Sequence, residues 1–188
     1  MAAPEPPTVP RSGDLILPLS QVQAIVGEPT LEVDRYAART SPWVDHSMDE
    51  KLTLPCRHFI NQDEVFGNSW SNFASAGYSG PSNLGVRQGI AVYPDRDTAR
   101  QAFDALKTSA RQCRMSYPTD VFGPGYTLTE PDPATLLVRY PETVNGPGSV
   151  RILALRARVL VEVGAPHLST DPRVAQTVLS LITVKVPT

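Results

Sequence analysis

Val86-Arg87-Gln88-Gly89-Ile90-Ala91-Val92-Tyr93-Pro94 runs directly into Asp95-Arg96-Asp97-Thr98-Ala99, and the hydrophobic period changes at that junction. Before it, Val86, Ile90 and Val92 share one phase of a two-residue repeat, as a β-strand requires. After it, Ala99, Ala102, Phe103, Leu106, Ala110 and Cys113 recur at spacings of three and four, with Arg96, Arg100, Asp104, Lys107 and Arg111 between them. That spacing predicts an amphipathic helix over 96–113 with Cys113 on its apolar face. Asp95 and Asp97 stand where negative charge suits the positive end of the helix dipole.

Reading toward the N-terminus, Ser79-Gly80-Pro81-Ser82-Asn83 supplies a turn, and Val65 to Tyr78 alternates Phe66, Trp70, Ala74 and Tyr78 with small polar residues. One long or bent strand is expected there, paired with 85–93 as a hairpin. Thr30 to Arg39 also alternates, and Ser20 to Val26, stopped by Gly27 and Pro29, reads as a short helix over 20–26. Ser41 to Lys51 has neither period and reads as a loop. Toward the C-terminus, 126–130, 136–140 and 150–163 are rich in β-formers, with Asn145-Gly146-Pro147-Gly148 closing a hairpin. Whether 150–163 is one strand or two stays open, because Arg156-Ala157-Arg158 is poor turn chemistry. Asp171-Pro172 opens a last helix over 172–184. Hairpin-length connections dominate, so the expected fold is α+β: a twisted antiparallel sheet flanked by about three helices in a single domain.

A chain of 188 residues with 41% hydrophobic content can bury a full core without metals or a dense disulfide framework. The net charge is -2, from 17 Lys+Arg against 19 Asp+Glu, which gives no electrostatic footprint for nucleic acid or anionic lipid. No apolar run reaches the roughly 20 residues of a membrane span. Pro4, Pro6, Pro7 and Pro10 mark residues 1–13 as an extended tether, and 14–188 as the folded domain. The expectation is that any signal or membrane anchor lies outside this sequence. Cys56 and Cys113 lack CxxC spacing; buried free thiols and a disulfide are both open on the residues alone.

The search for chemistry returns no HExxH, phosphate loop or EF-hand. Gly77-Tyr78-Ser79-Gly80-Pro81 departs from a nucleophile elbow at Pro81, and His46, His58 and His167 sit in separate segments without an i,i+4 partner. No catalytic residue, cofactor or metal ligand is therefore expected. Trp43, Trp70, Phe73 and Tyr78, set among Ser, Asn and Gly, suit a cleft wall as well as a core edge.

Taken together, the short helix, the strand, Cys56, the aromatic-Ser-Gly strand, Val86 to Pro94, Ala99, Phe103, Cys113, Val159-Leu160-Val161-Glu162-Val163 and the closing Ile182-Thr183-Val184-Lys185-Val186-Pro187 resemble the PknH-like extracellular domain family of mycobacteria and their relatives. That family supplies sensor domains of transmembrane Ser/Thr protein kinases and free-standing envelope lipoproteins. The resemblance implies an extracytoplasmic, non-catalytic sensor domain on the cell-envelope side of the plasma membrane. It also implies a Cys56–Cys113 disulfide and a cleft for an unidentified small-molecule or cell-envelope ligand. The cleft is expected to use Trp70, Phe73, Tyr78 and Arg87, with ligand-linked homodimerisation as one route to a signal. A lipoprotein of the same fold is the alternative, and a secreted hydrolase a distant one. The family's second bridge is missing: Met115 and Ala165-Pro166 stand where its cysteines are expected, and Ala110 where a tryptophan is common.

Overall fold

The computed structural model describes residues 9–144 and 146–187. Among them seven strands form one antiparallel sheet: β1 Glu32–Arg39, β2 Asn72–Ser79, β3 Gly85–Val92, β4 Thr127–Asp132, β5 Thr135–Tyr140, β6 Ser149–Arg156 and β7 Val159–Ala165. Their order across the sheet is β1-β2-β3-β7-β6-β5-β4, so two meanders meet at the β3–β7 pair. The three helices expected are present as α2 Leu19–Val26, α5 Arg96–Met115 and α7 Arg173–Thr183. Four short ones join them: α1 Ser12–Leu15, α3 Leu54–Ile60, α4 Gln62–Phe66 and α6 Thr119–Phe122.

Both faces of the sheet are covered. Val86, Ile90 and Val92 of β3 face a core with Leu15, Leu17, Val22, Val178 and Ile182 from α1, α2 and α7 and the segment joining the first two. Ala91 and the adjoining Tyr93 face the opposite core, with Phe59, Phe66, Phe103 and Leu106 from α3, α4 and α5. Two-sided burial is why Ile90-Ala91-Val92 of β3 and Val159-Leu160-Val161 of β7 are continuous apolar runs. Gln88 is the polar exception inside the first core. Its Oε1 accepts from Leu17 N at 2.9 Å and its Nε2 donates to Leu17 O at 3.1 Å, and the Tyr78 hydroxyl donates to the same carbonyl at 2.7 Å. Those bonds satisfy the backbone where the chain crosses between α1 and α2.

Several elements differ from expectation. Val65 to Tyr78 is not one strand, since α4 ends at Phe66 and β2 begins at Asn72. The parity shared by Phe66 and Trp70 arises from a helix end and a connection, not from a pleat. The segment 150–163 is two strands with a turn at Ala157-Arg158, and Ala157 takes φ 51° to make it. Arg158 holds that turn against β3: its carbonyl accepts from Tyr93 N at 2.9 Å and its Nη1 donates to Pro94 O at 3.0 Å. Asp95 is a true N-cap, its Oδ1 accepting from Thr98 N at 2.7 Å. Val9 to Arg11 carry no regular structure, residues 1–8 of the expected tether lie outside the described residues, and the folded body begins at Ser12, whose N–H donates to Asn72 Oδ1 at 2.7 Å.

Candidate functional site

On the α3–α5 face, large apolar side chains at one end of the sheet give way to glycines, a serine and charged residues toward the other. The cross-strand register places Phe73, Ala91 and Leu160 in one row, Ser75, Gly89 and Glu162 in the next, and Gly77, Arg87, Gly164 and Arg151 in the third. Where the side chains vanish, the helices do not close over the backbone, and a cleft of about 600 Å³ opens. Its floor is the bare strand at Gly164, and α4 closes its inner end over Gly89, with Phe66 Cζ 3.1 Å from where a Cβ on Gly89 would stand.

One wall is the arm made by β1 and the loop after it. The register of β1 on β2 shifts between Asp34 and Arg39, and the intervening residues fold over Gly77. A Cβ on Gly77 would lie 2.6 Å from Ala37 Cβ, so this close approach needs glycine. Ser75 Oγ donates to Ala37 O at 2.7 Å and fixes the arm. Beyond it, the Arg39 guanidinium stacks 3.8 Å over the Trp43 ring, and Trp43 N donates to Gln62 Oε1 at 2.7 Å. Tyr36, 81% exposed, and Trp43 put aromatic surface on the rim.

Of the charged residues lining the cleft, Arg151 and Glu162 form an ion pair, whereas Asp34, Arg39, Asp45 and Arg87 have none among the described residues. Arg151 Nε lies 2.6 Å from Glu162 Oε1, and Arg151 Nη1 donates to Phe59 O at 2.7 Å. Burial opposes the Arg151 charge, but Glu162 and Tyr140 outweigh it and raise its pKa further. Burial also pushes the Tyr140 hydroxyl up, against the pull of Arg151. Asp34 Oδ1 accepts from Tyr36 N at 3.0 Å. Arg87 has no ion pair among the described residues; its stem runs between Gly77 and Gly164, and its head is exposed.

The PknH-like extracellular domain family model matches residues 7–182. The chain belongs to that family. The crystal structure of the extracellular domain of PknH from Mycobacterium tuberculosis has a similar fold, with a TM-score of 0.69 at 19% identity over 96% of this chain and 97% of that one. No curated protein matches the sequence. Among the described residues, no helix of this PknH-like domain is long and apolar enough to cross a membrane.

In this PknH-like domain Cys56 and Cys113 are bonded, joining α3 to the end of α5 with their Cα atoms 4.6 Å apart. The four residues expected to line one groove are not together. Tyr78 lies in the core under α1 and α2, and Phe73 is buried under α4, 5.0 Å from the Phe66 ring centre. Strand parity separates them, since positions 73 and 78 of β2 point to opposite faces. Trp70 caps the α4–β2 connection, its Nε1 donating to Gly67 O at 2.9 Å, and does not line the cleft. Arg87 does, as does Trp43. Arg151, Glu162 and Gln62 were not singled out by sequence reasoning. The signal that could have found their site is the set of glycines inside strands, Gly77, Gly89 and Gly164, which mark close approach or an open floor.

The structure also gathers residues that looked scattered. His46 Nδ1 lies 3.1 Å from Asp49 Oδ2 and its Nε2 3.1 Å from Asp63 Oδ2, while His58 Nε2 is 3.2 Å from Glu64 Oε2. Carboxylates only accept, so His46 is satisfied on both sides as the imidazolium. Burial opposes that charge, but the nearby Asp63 and Asp49 raise its pKa. Ligand atoms of His46, Asp49 and Glu64 lie within 4.8 Å of one another, a donor set able to take a divalent cation. Asp49 already accepts from Asn61 Nδ2 at 2.8 Å and lies 3.6 Å from Arg57 Nη1, so the group is also a closed network fastening the 41–51 loop to α3 and α4. Ser79 ends β2 and is followed by a single 3-10 turn, Pro81–Asn83, rather than an α-helix, and His167 belongs to the β7–α7 connection.

Proposed function

We propose that this chain is the ligand-recognition part of an extracytoplasmic sensor, carried outside the membrane by a Ser/Thr protein kinase and non-catalytic by itself. The observation that carries the reading is the cleft. It lies on a rigid sheet, its floor is backbone, its wall is aromatic, and its polar groups converge from β1, β3, β6, β7 and the α3–α4 corner. A volume of about 600 Å³ falls in the range of about 300–1,000 Å³ that small-molecule sites occupy. Membership of an extracellular domain family supports the placement outside the cell. The envelope lipoprotein alternative shares the cleft and differs only in what precedes the tether, which the upstream coding sequence decides.

The test is selection of binders from a mixed metabolite library, read by mass spectrometry, with the folded domain and a cleft-filling variant. Gly164→Phe suits this, because a Cβ there meets only Arg87 Cβ at 3.8 Å and the ring would lie on the floor. Compounds retained by the natural sequence and lost from Gly164→Phe support the reading. Retention of the same compounds by both overturns it.

A further inference from the structure

We propose that the cleft takes a sugar acid or a sugar phosphate, with its hydroxylated ring on the glycine floor and its anionic group on Arg87. The inference rests on the ligand-recognition reading above and adds the chemistry of what is recognised.

Three observations lead to it. The first is the state of the cations. Arg151 is neutralised by Glu162 at 2.6 Å, and Arg39 is stacked on Trp43 with its Nε donating to Tyr36 O at 2.9 Å. Arg87 rises from the middle of the floor with no ion partner among the described residues. A guanidinium offers donors in a planar fork, which fits a carboxylate or phosphate.

The second is the floor. Gly164 leaves the sheet bare beside Arg87, where a Cβ would meet only Arg87 Cβ at 3.8 Å, so a ring can lie against backbone there. Around that strip stand polar groups of both kinds. Gln62 Nε2 lies 3.5 Å from the position of a Gly89 Cβ and can donate, and the Asp34 carboxylate one strand beyond Gly77 can accept. Hydroxyl groups satisfy donors and acceptors alike, whereas an apolar ligand would leave both unpaired at a cost.

The third is the rim. Tyr36 and Trp43 present ring surface beside the floor, and the apolar face of a sugar ring packs on such surface while its hydroxyls keep their partners.

The experiment is an amide chemical-shift titration of the isotopically labelled domain with four probes: glucuronate, glucose 6-phosphate, methyl glucoside and inorganic phosphate. Either acid is expected to shift the amides of Arg87, Gly89 and Gly164, with the neutral glucoside about tenfold weaker or more. Which acid binds more tightly separates the carboxylate from the phosphate source. Arg87→Gln, at an exposed position, should keep the thermal midpoint and abolish the preference for the acid. Equal binding of methyl glucoside, undiminished binding by Arg87→Gln, or the same shifts from inorganic phosphate alone would each overturn the proposal. So would silence of both acids at tens of millimolar. Library compounds lost from Gly164→Phe in that last case would leave the cleft reading standing and sink only this one.

Discussion

Arg151 Nε and Glu162 Oε1 stand 2.6 Å apart at the inner edge of the cleft, and the other oxygen of Glu162 is buried with no donor among the described residues. Their side chains are only 12% and 16% exposed, so each charge depends on the other. Glu162→Gln should cost roughly 2–3 kcal/mol in urea unfolding, a little under the cost of breaking a fully buried pair. Arg151→Met combined with Glu162→Leu should recover most of that loss. A double variant as unstable as the single one would show that packing, not charge, is at stake.

The disulfide closes a loop with a sequence separation of 57. Chain entropy alone predicts that Cys56→Ala with Cys113→Ala lowers stability by about 4 kcal/mol. Thiol titration of the denatured, unreduced protein should find no free thiol. Two free thiols would remove the bridge and the support it lends to an oxidising compartment.

Ala157 holds φ 51° in a two-residue turn between paired strands. Glycine adopts that conformation without the Cβ clash, at some cost in unfolded-chain entropy, so Ala157→Gly should stabilise by about 0.5–1 kcal/mol. A lower thermal midpoint would mean that the methyl group's packing in the α7-side core outweighs the backbone strain.

His46 should titrate above the ordinary histidine value near 6.5, because Asp63 and Asp49 favour its charged form against burial. With a raised folded-state value, its contribution to stability is fully present below the unfolded value and disappears as pH rises through the folded one. A histidine NMR titration gives the midpoint directly, and Asp63→Asn should bring it down. A midpoint at or below 6.5 that ignores Asp63→Asn would refute the assignment of an imidazolium clamp.

How far the sequence could be read depends on the range of the cause. The α5 helix was legible because everything that makes it lies within 20 residues: Asp95 caps it, and Ala99, Phe103, Leu106, Ala110 and Cys113 repeat on one face. The α3 helix has a start signal too, Pro55 at its first turn, but Cys56 and Phe59 are too few to display a period. At Ala157 the turn is imposed by pairing of β6 with β7 and of Arg158 with the end of β3, which overrides a poor local preference. The cleft was the least legible part. Gly89 meets Glu162, and Gly164 meets both Arg87 and Arg151, only through the register of a sheet that joins distant segments. Tyr78 faces the core because parity along one strand does not say which side of the sheet a ligand will see, and Trp70 lies in the α4–β2 connection, where no strand parity applies.

Both outermost strands of the sheet are irregular. β1 shifts register between Asp34 and Arg39, and β4 does so between Thr129 and Asp132, where Pro131 removes an N–H and Glu130 is tied back to Arg111 Nη2 at 2.6 Å. Such edges offer a poor template to another strand, so this domain is guarded against adding copies of itself end to end into a continuous ribbon. The arm that spoils one edge for polymerisation is the same arm that walls the cleft, and straightening it to admit a neighbouring strand would dismantle that wall.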